Sequence, residues 1–154
     1  MTPAVRAARD AGIPFRIVEF EAAAGESYGV RAAAALGLPP GHVFKTLIAK
    51  LDGRQLVVAL VPVSAELDLK ALAELAGAKR AAMATPEEAE RSTGYVLGGI
   101  SPLGQRRRLA TYLDSSVAGL EKVYVSGGRR GLEIELAPGD LINACGGRLG
   151  AIAR

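Results

Sequence analysis

The chain has 154 residues, 49% of them hydrophobic and 23% charged, and a net charge of +3. That profile fits one ordinary globular domain and excludes collagen, coiled coil and low-complexity polymer. With one Cys and one His, no disulfide framework and no zinc set of Cys and His can be built, so the residues call for no metal.

Thr2-Pro3 reads as an N-cap followed by proline at the first helical position, with Gly12 as the stop. Pro14 opens a strand over residues 15–21. Ser27 caps a short helix through residues 31–36, which Gly37 ends, and Leu38-Pro39-Pro40-Gly41 forces a turn. Along residues 43–51, Val43, Lys45, Leu47, Ala49 and Leu51 share one side. Asp52-Gly53 is the pair a two-residue type I′ turn requires, and residues 55–63 supply the returning strand. The longest apolar run, residues 56–63, falls well short of the about 20 needed to span a bilayer. Arg6, Arg9 and Asp10 interrupt any apolar leader, so a cytoplasmic protein without membrane contact is expected.

Residues 67–76 carry a helical apolar stripe ending at Gly77. Thr85-Pro86-Glu87-Glu88 has the spacing of a capping box, and Gly94 stops the helix it opens. Residues 94–104 are glycine-rich. Strands follow over residues 109–114, 122–126 and 132–136, the last two joined by Gly127-Gly128-Arg129-Arg130-Gly131. Pro138-Gly139-Asp140 opens a final helix through Cys145. The pattern is α+β: one domain with a mixed or largely antiparallel sheet.

Four features carry chemistry. The glycines of residues 94–104 make either a long turn or a nest of backbone amides for an anion; neither a Walker A loop nor a nucleophile elbow is present. Lys45 stands where an apolar residue is expected, so it either snorkels from an edge strand or faces a cleft. In a hairpin, Ser126 and Glu133 fall close together, beside Arg129 and Arg130, as a structural ion pair or as a site for a sugar hydroxyl or an amine. Lys79-Arg80, Arg106-Arg107-Arg108 and Arg129-Arg130 are basic clusters, either solvated tips or polyanion contacts. His42 reads as a surface or capping residue and Cys145 as core.

Taken in order, Met1-Thr2-Pro3-Ala4-Val5, Val43-Phe44-Lys45-Thr46-Leu47, Leu67-Asp68-Leu69-Lys70 and Arg91-Ser92-Thr93-Gly94-Tyr95 form a recognisable series. It continues with Gly98-Gly99-Ile100-Ser101-Pro102-Leu103-Gly104-Gln105, Tyr124-Val125-Ser126-Gly127-Gly128, Arg130-Gly131-Leu132 and Ala137-Pro138-Gly139-Asp140-Leu141. In these segments the chain resembles the YbaK/EbsC family of freestanding aminoacyl-tRNA deacylases, relatives of the editing domain of bacterial prolyl-tRNA synthetases. The resemblance implies one editing domain over residues 1–154, with a mixed barrel-like sheet, flanking helices and a cleft for the aminoacylated 3′ end of tRNA. It puts the family's lysine on Lys45 and its Gly-x-x-x-Pro motif on Gly98 to Pro102. It puts the family's serine on Ser126. Two positions depart from the family: Phe20 replaces a tyrosine and Glu133 an aspartate.

The resemblance further implies removal of cysteine from Cys-tRNA(Pro), and of cysteine from Cys-tRNA(Cys), by attack of the substrate's own sulfur to give a thiolactone, without a cofactor. Lys45, Gly98 and Gly99 then serve catalysis. Phe20, Thr46, Ile100, Ser101, Pro102, Ser126, Gly127 and Glu133 line the substrate, and Arg106, Arg107, Arg108, Arg129 and Arg130 hold the tRNA. Prolyl-tRNA synthetase is the implied partner. Two alternatives stay open: water-mediated editing of another mischarged tRNA such as Ala-tRNA(Pro), and a binding module without turnover.

Overall fold

The computed structural model describes residues 1–21 and 28–154. Thr2 caps α1 (Pro3–Asp10), its Oγ1 accepting the Val5 N–H at 3.2 Å. β1 (Phe15–Glu19) is shorter than the expected residues 15–21, because its ladder ends at Glu19↔Leu132 and Phe20 N–H turns to Gly131 O. The expected cap at Ser27 lies outside the described residues. α2 (Tyr28–Leu36) ends on Gly37, which takes φ +68°, and a single 3-10 turn over Pro40–His42 follows.

β2 (Phe44–Leu51) and β3 (Gln55–Pro62) form the expected antiparallel hairpin. Asp52 and Gly53 both take positive φ, and Arg54 N–H donates to Leu51 O at 3.0 Å, as a type I′ turn requires. The ladder resumes only at Leu51↔Gln55, so the loop has one residue more than expected. Asp52 accepts the N–H groups of Lys79 and Arg80, which ties that basic pair to the hairpin tip.

Asp68 caps α3 (Leu69–Ala76), and Gly77 ends it in the left-handed conformation. β4 (Ala81–Met83), which has no local signature, pairs with β2 along its free edge. The full capping box opens α4 (Pro86–Thr93): Thr85 and Glu88 exchange side-chain-to-backbone bonds, and Glu88 also holds Lys50 in an ion pair. β5 (Thr111–Asp114), β6 (Val123–Ser126), β7 (Leu132–Leu136), α5 (Pro138–Cys145) and β8 (Arg148–Gly150) complete the chain. Buried Asp114 accepts the N–H groups of Ile152 and Ala153, which holds β8 against β5.

The strands form two sheets, ordered β1-β7-β6 and β4-β2-β3-β5-β8. The first is antiparallel. The second is mixed, since β5 runs parallel to both β3 and β8. A bridge between Val43 and Tyr124 joins the sheets, and the barrel is not closed. Phe44, Ile48, Val58 and Leu60 pack against Val125, Ile134 and Leu136 of the smaller sheet. On the opposite face Ala49, Val57, Ala59 and Val61 pack against Leu72 of α3 and Ile152. β3 is therefore covered on both sides, which explains its unbroken apolar run. Each fully buried Val or Leu here contributes about 1.5–3 kcal/mol. Among the described residues, no helix is long and apolar enough to cross a membrane.

Candidate functional site

A cavity of about 210 Å³ opens where the two sheets meet. α2 supplies Gly29 and Ala32, the start of β2 supplies residues 43–47, and the glycine turn supplies Leu97, Gly98 and Ile100. Val63 closes one side, and the turn ends of β6 and β7 bring Ser126 and Glu133. A space this small suits a compact group rather than a drug-sized ligand, which takes roughly 300–1,000 Å³.

Lys45 enters from β2, opposite Val61. It is half-buried and, among the described residues, has no hydrogen-bond or ion-pair partner. Lys50, further along the same strand, is in contrast engaged by Glu88. An ammonium that lines a cavity without an ion-pair partner among the described residues can meet an incoming anion or carbonyl. Thr46, next to it, is 9% exposed, and its buried Oγ1 has no hydrogen-bond partner among the described residues. An orphaned buried hydroxyl costs about 1–3 kcal/mol until a ligand satisfies it.

Ser126 and Glu133 are directly paired residues of the β6–β7 hairpin, as the spacing implied. The alternation that sends Leu132, Ile134 and Leu136 into the core sends Glu133 to the other face, into the cavity. Glu133 is 3% exposed and has no hydrogen-bond or ion-pair partner among the described residues. Burial pushes its carboxyl up to about 8. Glu133 and Lys45 share the cavity without an ion pair. A protonated Glu133 can donate as well as accept, and a cation beside it would draw the proton off. Ser126 Oγ accepts the Gly128 N–H at 3.1 Å, which leaves its own hydroxyl proton for a ligand.

The glycine turn is fixed by α4. Glu90 accepts the Leu97 N–H at 3.0 Å, and Gly99 N–H closes the turn on Val96 O at 2.9 Å. Gly98, at φ +88°, lines the cavity, and its N–H has no partner among the described residues. Gly99, expected as a second amide donor, is buried, and its N–H is already used by the turn. Gly98 is required by its left-handed φ, and Gly99 by close approach, since a Cβ there would stand 2.8 Å from Arg129 Cα. The turn and the 127–131 tip thus pack backbone against backbone.

Of the other expected residues, Thr46 and Ile100 line the cavity, whereas Phe20, Ser101, Pro102 and Gly127 do not. Ser101 is fully buried; its Oγ accepts the Leu103 N–H, and its carbonyl accepts Gln105 Nε2. Gly127 bonds Leu132 O through its N–H and accepts Thr2 Oγ1 on its carbonyl. Tyr95 OH donates to Leu103 O at 2.6 Å, and burial raises its phenol to about 12. These bonds make the Ser-Pro and Ser-Gly-Gly segments the frame of the site. Gly29, Ala32, Val63 and Leu97 line it without any sequence signal, since their contribution is shape alone.

The basic clusters separate. Arg129 and Arg130 lie against Gly98 and Gly99 at the cavity's turn, with Arg129 also 3.5 Å from Glu19. Arg106 packs beside Gly94, while Arg107 and Arg108 line a different cavity of about 250 Å³ between α1 and α5. Cys145 lies in that second cavity, where burial raises its thiol to about 11, so it stays protonated. His42 lines neither space.

Residues 26–144 match the aminoacyl-tRNA editing domain family. The chain is 34% identical over 151 residues to an Enterococcus faecalis protein that carries the provisional name Cys-tRNA(Pro)/Cys-tRNA(Cys) deacylase EbsC, covering 98% of this chain and 92% of that one. It is 33% identical over 106 residues to the multifunctional Ser/Thr-tRNA deacylase ProXp-y of Escherichia coli K12, covering 67% of this chain and 62% of that one. A crystal structure provisionally described as a trans-editing enzyme for prolyl-tRNA synthetase superimposes with a TM-score of 0.86 at 27% identity. It covers 100% of this chain and 99% of that one.

Proposed function

The chain belongs to the aminoacyl-tRNA editing domain family, and from that premise we propose that it is a trans-acting deacylase of mischarged tRNA, with Cys-tRNA(Pro) as its substrate. The observation that carries this reading is the convergence of Lys45, Gly98, Ser126 and Glu133 on one small cavity. The names of the Enterococcus relative and of the solved trans-editing structure support the cysteine and proline halves of the assignment.

The cavity contains no His or Cys to act as a nucleophile, so the reaction suits a substrate that brings its own. The cysteinyl sulfur attacks the ester carbonyl: a C–S bond forms, the C–O bond to ribose breaks, and the thiol proton ends on the ribose oxygen. The products are a thiolactone and free tRNA. Well-oriented intramolecular attack reaches effective molarities of roughly 10⁵–10⁸ M, so the protein's task is alignment. Glu133 takes the α-ammonium, Ser126 a ribose hydroxyl, and Lys45 the carbonyl region or the terminal phosphate. Gly98 N–H, rather than a Gly98–Gly99 pair, meets the developing oxyanion. The scheme needs no cofactor. Arg129 and Arg130 bear on the tRNA backbone beside the cavity, and Arg106 to Arg108 extend that contact. The identity of the tRNA comes from the synthetase that presents it. Such a substrate puts the protein in the cytoplasm.

Single-turnover deacylation of Cys-tRNA(Pro) beside Ala-tRNA(Pro), with Lys45→Ala as control, tests the reading. We expect loss of cysteine with release of thiolactone, and no such loss with the variant. Loss of alanine alone would replace sulfur attack by water attack. Retention of both amino acids on bound tRNA would overturn the enzymatic reading.

A further inference from the structure

The cavity does not end at Thr46. A second recess of about 120 Å³ adjoins it, and Thr46, Leu47, Leu97 and Ile100 line both. The far walls are Ile48, Met83, Ala84, Pro86 and Ala89. Among the described residues, Thr46 is the only polar side chain in this lining; it lines both spaces, and its Oγ1 has no hydrogen-bond partner. The two halves therefore differ in chemistry. One holds Lys45, Ser126 and Glu133; the other is apolar, with Met83 and Leu97 each 48% exposed at its rim. Ordinary core packing does not account for this arrangement, since two large apolar side chains face water beside an unsatisfied hydroxyl.

We infer that the two spaces are one bipartite site and that the apolar recess takes the adenine base of the tRNA's terminal adenosine. The inference rests on the aminoacyl-tRNA reading above and adds the place of the base to it. The ester, ammonium and phosphate of the substrate need polar partners, which only the first half offers. What remains is the flat purine, whose faces are apolar and whose polar edge can stay at the open rim. Met83 suits it, because a thioether makes favourable contacts with an aromatic ring at about 5 Å. Thr46 Oγ1, between acyl group and base, is placed for a ribose hydroxyl. The helix that walls the recess begins with Pro86, which has no N–H to leave unpaired there.

The chain's two methionines are Met1 and Met83, so ¹³C-methyl methionine spectra give one reporter at the rim of the recess and one control. Adenosine 5′-monophosphate is titrated into the full chain, with ribose 5-phosphate as the base-free probe. The expected result is a saturable upfield shift of the Met83 methyl with the nucleotide alone, while Met1 stays in place. Leu97→Asp, at an exposed position, should weaken that response about tenfold. A Met83 signal that is silent to the nucleotide, or that answers ribose 5-phosphate equally, would overturn the assignment. The titration needs no turnover. A shift in a chain inactive on aminoacyl-tRNA sinks the reaction and keeps the subsite; activity with Met83 silent does the reverse.

Discussion

Glu133 makes the fold sensitive to pH in a direction opposite to that of a salt-bridged carboxylate. Its carboxyl is raised from an ordinary 4.5 to about 8 by burial. Below pH 4.5 the folded and unfolded chains both hold this proton. Between 4.5 and 8 the unfolded chain releases it and the folded chain keeps it, so stability falls as pH rises. Above about 8 both states are ionised and the dependence ends. One pKa unit is 1.36 kcal/mol, so a rise of about 3.5 units amounts to about 5 kcal/mol across the window. Glu133→Gln retains the shape and removes the titration. Urea unfolding of both proteins at pH 5, 6, 7 and 8 measures the difference, and other titrating groups such as Glu135 cancel from it. The advantage of the glutamine variant should grow by about 1.4 kcal/mol per pH unit, reaching on the order of 4 kcal/mol between pH 5 and 8. A difference that stays flat would show Glu133 ionised in the fold and refute burial as the dominant influence on it.

Three further outcomes follow from packing and charge. Gly99→Ala drives a Cβ to 2.8 Å from Arg129 Cα; the fold should lose about 1–3 kcal/mol, read as a lower urea midpoint at constant m. Tyr95→Phe removes the buried bond to Leu103 O and should cost about 1–3 kcal/mol, because that carbonyl loses its phenolic donor. The Arg129→Glu, Arg130→Glu double variant should raise KM for aminoacyl-tRNA and leave kcat near that of the parent chain. The logarithmic salt slope of tRNA binding should become shallower by about two units.

What the sequence disclosed was mostly local. Thr2, Asp68 and Thr85 act as caps within three residues of their partners, and Asp52-Gly53 supplies its own turn geometry. Such signals are complete within a short window. β4 and β8 have no such window. Each is three residues long, and each exists because a distant edge, β2 or β5, offers it hydrogen bonds. The site divides the same way. Lys45 is legible as a charge where an apolar residue is expected, and Ser126 and Glu133 as neighbours across a hairpin. Ser101, a hydroxyl within the glycine-rich stretch, folds inward to hold Leu103, because its role depends on which way the loop turns. The apolar recess beside Thr46 has no local signature, since nothing in the sequence marks Met83 and Leu97 as exposed.

The β1–β7 pairing carries a kinetic consequence. Arg16 finds Glu135 at a sequence separation of 119, and Thr2 reaches Gly127 across 125. During synthesis, β1 therefore emerges long before the strand that will bond it, while the β2–β3 hairpin can close almost at once. Lys45 sits on the early unit and Glu133 on the late one. The cavity that Lys45 and Glu133 share is thus complete only once β7 has been made and the long β1–β7 loop has closed, an entropic cost that the local β2–β3 hairpin does not carry. A chain lacking β7 would carry Lys45 without Glu133 and would leave β1 with no strand to pair with, so the cavity would lack part of its polar lining.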